Sequence, residues 1–305
     1  MRRKPLLILG GTLLALAVFA AAALVLFPFE TVTAIRRAEL WKGGVRRVRL
    51  DGGLNAYEKD ACEPGKPCRC LALIHGLGDS GMTWDKMLLD ERASAPGLRI
   101  VAPDMPGSEG SAIPPSPDGY AISAQARTLK AALAPVCPAW SVAANSLGGW
   151  TSLTLALDWP SGVKDLVLLD AAGISDPSGQ AEASARVLAD PTLAALKEFS
   201  RRARFKDREL PERAWLAGMA AIRARHTHDV AHALRREELL DGRLKNLKVP
   251  VRIIWGDSDG IIPIAVGLRM HRLIAGSRYE RVEHCGHLPQ QECPEAVAPA
   301  LFGPR

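Results

Sequence analysis

The run Ala143-Ala144-Asn145-Ser146-Leu147-Gly148-Gly149 sets a serine between small residues two positions before it and two after it. A short apolar run leads in and a helical pattern follows. Where a strand turns abruptly into a helix, the flanking positions are crowded and only small side chains fit. The serine at the apex is lifted out of the sheet. Its hydroxyl can then reach both a base and an acyl carbon, while N–H groups of the starting helix face any oxyanion that forms. This is the make-up of a nucleophile elbow, with Ala144 standing where glycine is commonest, a difference of one methyl group. A small-x-Ser-x-Gly pattern alone equally fits a serine in an ordinary turn, so the rest of the chain has to decide.

The elements around it read as strands alternating with helices. Residues 45–50 and 54–58 flank Asp51-Gly52-Gly53 and predict a hairpin. Residues 71–74 form a continuous apolar run of the kind found in buried parallel strands, ending in His75-Gly76-Leu77-Gly78. A second run at 98–102 ends in Pro103-Asp104-Met105-Pro106-Gly107-Ser108-Glu109-Gly110. A helix is expected over about 123–133, stopped at Pro135, then the strand into Ser146 and a helix over about 147–159, stopped by Pro160. Residues 166–169 give another apolar strand ending in Asp170. Between about 173 and 246 strand signals vanish, and the segment is rich in Ala, Leu and Arg at helical spacing. The sheet pattern resumes at 251–255, followed by Gly256-Asp257-Ser258-Asp259, a helix near 264–274, a strand at 279–282 and His284-Cys285-Gly286-His287. Such alternation predicts a parallel sheet covered on both faces.

From about residue 45 onward the chain resembles an α/β-hydrolase. Four motifs stand in that family's order: His75-Gly76-x-Gly78, Asp104-x-x-Gly107-x-x-Gly110, the serine elbow, and Gly256-x-x-Asp259 followed by Gly286-His287 with Glu292 and Pro294 beyond. The resemblance implies a mostly parallel eight-stranded sheet flanked by helices, with core segments 30–172 and 247–305 and a helical cap over 173–246. It also implies the roles. Ser146 is the expected nucleophile, His287 the base, Asp259 the acid that holds the imidazole, and the backbone N–H groups of Leu77 and Leu147 the oxyanion hole. Gly76, Gly78 and, in the cap, Trp215 and Met219 are expected beside the substrate, with Leu216 near the cleft mouth. Asp170 is the reserve acid, since some members of the fold carry theirs after that strand. His284 lacks the preceding glycine, Asp257 reads as a turn residue, and His75 and Asp104 read as loop-shaping groups.

The first 29 residues are a separate object. Met1-Arg2-Arg3-Lys4 precedes an uncharged apolar run over 5–29, which as a helix would be about 37 Å long against a hydrocarbon core of about 30 Å. An uncleaved membrane anchor is expected over a signal peptide, whose apolar region is shorter. The leading basic residues favour a catalytic domain outside the cell, whereas Arg36, Arg37, Lys42, Arg46, Arg47 and Arg49 count the other way. Six cysteines, three of them in a Pro/Gly-rich polar stretch, favour an oxidising, periplasmic side. Cys68-Arg69-Cys70 lacks the spacing and second pair of a zinc knuckle. By the family's strand order, Cys68 or Cys70 is expected to bridge to Cys137, and Cys285 to Cys293 around the histidine loop.

An apolar content of 48%, a charged content of 24% and a net charge of +6 suit a globular protein, and the scattered basic residues with no nucleic-acid motif exclude a nucleic-acid partner. No motif demands a metal or an organic cofactor. His226, His228 and His232, of which the last two share a helix face, read as a solvated face rather than a ligand set. The anchor and the segment around Asp104 are similar to those of membrane-bound monoacylglycerol lipases, which implies a small-molecule or lipid ester as substrate. Asn145-Ser146-Leu147-Gly148-Gly149 is also similar to the elbow of carbon-carbon bond hydrolases of ring-cleavage products, and some relatives of the fold bind a ligand with little turnover.

Overall fold

The computed structural model describes residues 22–23, 25–206 and 210–303. Its centre is an eight-stranded sheet in the order β1-β2-β4-β3-β5-β6-β7-β8. The strands are β1 Arg46–Arg49, β2 Asn55–Asp60, β3 Arg69–Ile74, β4 Leu98–Pro103, β5 Trp140–Asn145, β6 Val163–Leu169, β7 Val251–Gly256 and β8 Arg278–Val282. β1 and β2 form the expected hairpin and β2 runs antiparallel to β4, while every other pairing is parallel.

The central strands are mostly apolar, with polar residues such as Arg69, Lys164, Asp165 and Arg252 near their starts, because both of their faces are covered. Period-two alternation divides them between two cores. Cys70, Ala72 and Ile74 of β3, with Val142 and Ala144 of β5, enter one core. Leu71 and Leu73, with Ala143, enter the other. The first is closed by α3 (Ile122–Leu133), α4 (Leu147–Asp158) and α9 (Ile264–Leu273), through side chains such as Leu129, Leu153 and Met270. The second is closed by α1 (Pro28–Lys42), α2 (Asp85–Leu88) and α11 (Pro294–Phe302), through Leu40, Met87 and Leu301. A short α10 (Pro289–Glu292) precedes α11. Between β6 and β7 the described chain is helical: α5 Gln180–Ala189, α6 Leu193–Ala203, α7 Glu212–Ala224 and α8 Thr227–His232.

The apolar run expected to span a membrane falls mostly on residues 1–21, which lie outside the described residues. Among the described residues no helix is long and apolar enough to cross a membrane. α1 crosses the boundary drawn at residue 29: Pro28 stands in its first turn, where the missing N–H costs nothing. It lies against the globular part through buried Leu40 and the ion pairs Arg36–Asp85 (3.5 Å) and Arg37–Glu109 (3.0 Å).

All six cysteines are paired, Cys62–Cys68, Cys70–Cys137 and Cys285–Cys293, with Cα separations of 5.6, 6.5 and 6.2 Å. Of the two candidates for Cys137 it is Cys70 that bridges, because Cys70 opposes Trp140 across β3 and β5. Cys68 pairs back to Cys62 instead.

Candidate active site

The parallel strands end on one edge of the sheet, and the loops leaving β3, β5, β6, β7 and β8 bring the chemistry together there. Ser146 follows β5 with φ 54° and ψ −122°, a conformation that costs about 1–3 kcal/mol in a residue with a side chain. The surroundings impose it. Its N–H donates to Leu169 O at 3.0 Å, and its carbonyl accepts from Gly149 and Ala172, each at 2.9 Å. Glycine is required two residues on: a Cβ at Gly148 would stand 2.5 Å from His75 O and 2.6 Å from Ile74 O. Ala144, fully buried within β5, is accommodated.

His287 lies after β8. Its Nδ1 is 2.8 Å from Asp259 Oδ2, and both side chains are buried. The other oxygen of Asp259 accepts the N–H groups of Ile261 (2.7 Å) and Ile262 (3.1 Å), so the carboxylate is fixed by three donors when Nδ1 carries the proton. That tautomer leaves Nε2 as an acceptor. The backbone of the histidine loop is held from two further directions. Its N–H donates to Ala203 O at the end of α6 (2.8 Å), and its carbonyl accepts from Asn145 Nδ2 (2.9 Å).

Ser146 and His287 line one cavity of about 1100 Å³, together with Gly76, Leu77, Gly78 and Leu147. The N–H of Leu147 opens α4 and has no acceptor within the helix. Among the described residues the N–H of Leu77 also finds none. Trp215 lines the cavity as expected. Met219 and Leu216 do not: the row of α7 that faces inward is Ala214, Trp215, Gly218 and Ile222, and Met219 falls one step round the helix from Gly218. Phe29 of α1 also lines the cavity, a residue the sequence assigned to the membrane run.

The rival groups sort by place. His284 is exposed and packs on Phe205 with ring centroids 4.9 Å apart. Asp257 pairs with Arg281 at 3.2 Å. His75 accepts from Met105 N at 2.9 Å and donates to Gly76 O at 2.8 Å. Asp104, fully buried, accepts from Gly81 N at 2.7 Å and pairs with Arg47 at 2.6 Å. Burial pushes its carboxyl upward against the pull of Arg47. Asp170 stands close to the centre: one carboxyl oxygen of it, one of Asp259 and a ring nitrogen of His287 lie within 4.8 Å of one another. It is fully buried. Oδ1 accepts from Gly256 N at 3.0 Å, and Oδ2 has no partner among the described residues. Burial, and then the charge of Asp259, drive its carboxyl well above the ordinary carboxylate range.

Asn145 escaped the sequence reading although it ties the elbow to the histidine loop, donating to both Leu169 O (3.1 Å) and His287 O. Its position just before the serine was the only signal.

Residues 71–300, well over half of the chain, match the alpha/beta hydrolase family. A 2-hydroxy-6-oxononadienedioate/2-hydroxy-6-oxononatrienedioate hydrolase of Pseudomonas putida is 27% identical over 263 residues, covering 80% of this chain and 90% of that one. Among solved structures, a bacterial membrane phospholipase A superposes with a TM-score of 0.75 at 24% identity, covering 96% of both chains. A putative lipase from Acinetobacter baumannii AYE gives 0.72 at 22% identity, covering 87% of this chain and 92% of that one. The chain belongs to the alpha/beta hydrolase family.

Proposed function

We propose that the protein is a serine hydrolase that cleaves carboxylic esters of lipid or monoacylglycerol type. Nε2 of His287 takes the proton from Ser146 Oγ as the oxygen attacks the acyl carbon. Asp259 keeps the ring in the tautomer this needs and stabilises its charged form. The N–H groups of Leu77 and Leu147 receive the oxyanion, where losing one such donor typically costs about 100- to 1000-fold in rate. His287 then protonates the leaving alcohol, and a water activated by the same ring releases the acid from Ser146.

The observation that carries the ester reading is the cavity wall. The serine and the histidine open onto a large, mostly apolar space, and among the described residues each of the five arginines along it already has a carboxylate partner. Arg186 and Arg236 pair with Glu182, Arg204 with Glu292, Arg225 with Glu109, and Arg235 with Asp118. A neutral ester with an apolar acyl chain suits such a wall. The substrates named for the Pseudomonas putida relative are dioates, whose carboxylates call for uncommitted cations. Carbon-carbon bond hydrolysis is the second reading, favoured by that relative and by the Asn-Ser-Leu-Gly-Gly elbow. The fold alone does not separate the two, since solved structures of both kinds share it.

On this reading the N-terminal apolar run tethers the enzyme to a membrane, with the catalytic part on the extracytoplasmic side. The three cysteine pairs support that side. The test is turnover of p-nitrophenyl esters from acetyl to palmitoyl by the full-length protein in detergent, beside Ser146→Ala, with a ring-cleavage dienedioate as the competing substrate. Multiple ester turnovers, lost in the variant, are expected. Faster turnover of the dienedioate would transfer the assignment to carbon-carbon hydrolysis, and neither activity in a folded protein would point to a ligand-binding role.

A further inference from the structure

Away from Ser146, the two histidines that share a helix face meet a partner invisible in local sequence. Asp190 follows the last residue of α5 and lies against α8. Its Oδ1 is 3.1 Å from His228 Nδ1 and its Oδ2 is 3.9 Å from His232 Nε2, and the two imidazoles touch with centroids 4.3 Å apart and planes tilted by 44°. One donor atom from each of the three side chains falls within 4.8 Å of the others.

A hydrogen bond from His228 to Asp190 accounts for one histidine only. His232 stands beyond hydrogen-bond distance of the same carboxylate, so nothing in that bond explains why both rings converge on it. A shared cation does. Ligand distances of about 2.0–2.2 Å around a tetrahedral zinc ion place donor atoms about 3.4 Å apart, and His228 Nδ1 lies 3.1 Å from Oδ1 and His232 Nε2 3.9 Å from Oδ2 of the carboxylate, so side-chain shifts of about half an ångström bring the three donors onto one ion. Two imidazoles and one carboxylate suit zinc and its neighbours, whereas calcium and magnesium prefer an all-oxygen shell.

We propose that Asp190, His228 and His232 form a site for a divalent transition-metal ion of the zinc type, which ties the end of α5 to α8 at the rim of the cavity. Three protein ligands leave the fourth position to water. The consequence is mechanical. Leu188 and Ala189 precede Asp190, Ala231 precedes His232, and all four of Leu188, Ala189, Ala231 and His232 line the cavity. An ion here fixes two walls of that space to each other.

The test uses the full-length protein, purified without a polyhistidine tag and stripped by a chelator. Zn²⁺ alone is titrated in competition with a chromophoric indicator. One ion bound per chain is expected. His228→Ala, His232→Ala and Asp190→Asn should each weaken binding at least about 10-fold, whereas His284→Ala, which removes another exposed histidine, should leave it unchanged. All these side chains are largely exposed, and far-UV circular dichroism checks that each variant folds. Zn²⁺ should also raise the thermal midpoint of the unsubstituted protein with increasing concentration, and not that of His228→Ala/His232→Ala. No binding by the unsubstituted protein, or equal affinity in the three ligand variants, overturns the site. Binding without a thermal shift overturns the clamp.

Discussion

The three cysteine pairs close loops of very different length, and this fixes what each removal should do. Cys70 and Cys137 are 67 residues apart, Cys285 and Cys293 are 8 apart, and Cys62 and Cys68 are 6 apart. In the chain-entropy account, opening loops of these sizes releases about 4, 2.5 and 2 kcal/mol into the unfolded state. Replacing each pair by alanine avoids burying a hydroxyl at Cys70 and Cys137, which are 1% and 5% exposed. The assay is equilibrium unfolding in guanidinium chloride, followed by fluorescence of the fully buried Trp140 and Trp255. Cys70→Ala/Cys137→Ala should lose about twice the stability lost by Cys62→Ala/Cys68→Ala. Its kcat at a temperature where it remains folded should stay near the unsubstituted value, because that bridge joins the strand ends farthest from Ser146. The Cys285–Cys293 loop holds His287 between its ends, so that double variant should lose about as much stability as Cys62→Ala/Cys68→Ala and also lose turnover. Equal stability losses in all three would refute the loop-entropy reasoning. An unchanged kcat without Cys285–Cys293 would refute the pinning of the histidine.

Three further outcomes follow from single positions. The folded-state value of Asp170 is raised, so the native state holds a proton there that the unfolded chain releases above about pH 4. Its contribution is therefore greatest at low pH and is lost as pH rises through the folded value. Asp170→Asn should gain on the unsubstituted protein in guanidinium midpoints from pH 5 to 8, and parallel pH curves would refute the assignment. Gly148→Ala would drive a Cβ against the carbonyls of Ile74 and His75 and should cost about 3 kcal/mol or more, whereas Gly218→Ala, which meets nothing within 4 Å on α7, should gain about 0.5–1 kcal/mol in the same unfolding assay. Asn145→Ala removes a donor from two buried carbonyls, of which Leu169 O keeps the Ser146 N–H and His287 O keeps none among the described residues, and should cost about 2 kcal/mol, with a fall in kcat at nearly unchanged KM in ester kinetics.

Sequence and structure agree where side-chain type carries the signal. The apolar runs of β3, β5, β6 and β7 were legible because strands buried on both faces need apolar residues along most of their length. The placement of Ser146, Asp259 and His287 in loops that follow β5, β7 and β8 was legible because strand-to-loop turns demand glycines and small residues at fixed offsets. Met219 was misplaced because helical spacing gives a period and not a phase, and the neighbours that set the phase of α7 lie elsewhere in the chain. Phe29 was read as part of an apolar run, since nothing local shows that α1 turns one residue of it toward the cavity. Asp190 lies 38 positions before His228, and no local pattern joins them. The supports of the histidine loop were the least legible, because Ala203 acts through its carbonyl and any residue offers one.

Those backbone supports bear on how the helical segment between β6 and β7 can act. The last turn of α6 is bonded to both loops that complete the proposed triad. Gly260 N–H donates to Arg202 O at 2.9 Å, one residue after Asp259, and His287 N–H donates to Ala203 O at 2.8 Å. The fit leaves no slack: a Cβ on Gly286 would stand 2.5 Å from Ala203 O and 2.8 Å from Arg204 Cα. Just beyond, Phe205 N–H donates to Glu292 Oε2 at 3.0 Å. A helix held in this way cannot lift as a lid without breaking the bonds that Gly260 and His287 make to Arg202 and Ala203, or carrying both loops with it. On the proposed function, admission of substrate to the cavity falls to α1, α5, α7 and α8, which line it and, among the described residues, make no such backbone bond to either loop. The end of α6 belongs mechanically to the sheet edge that carries the chemistry.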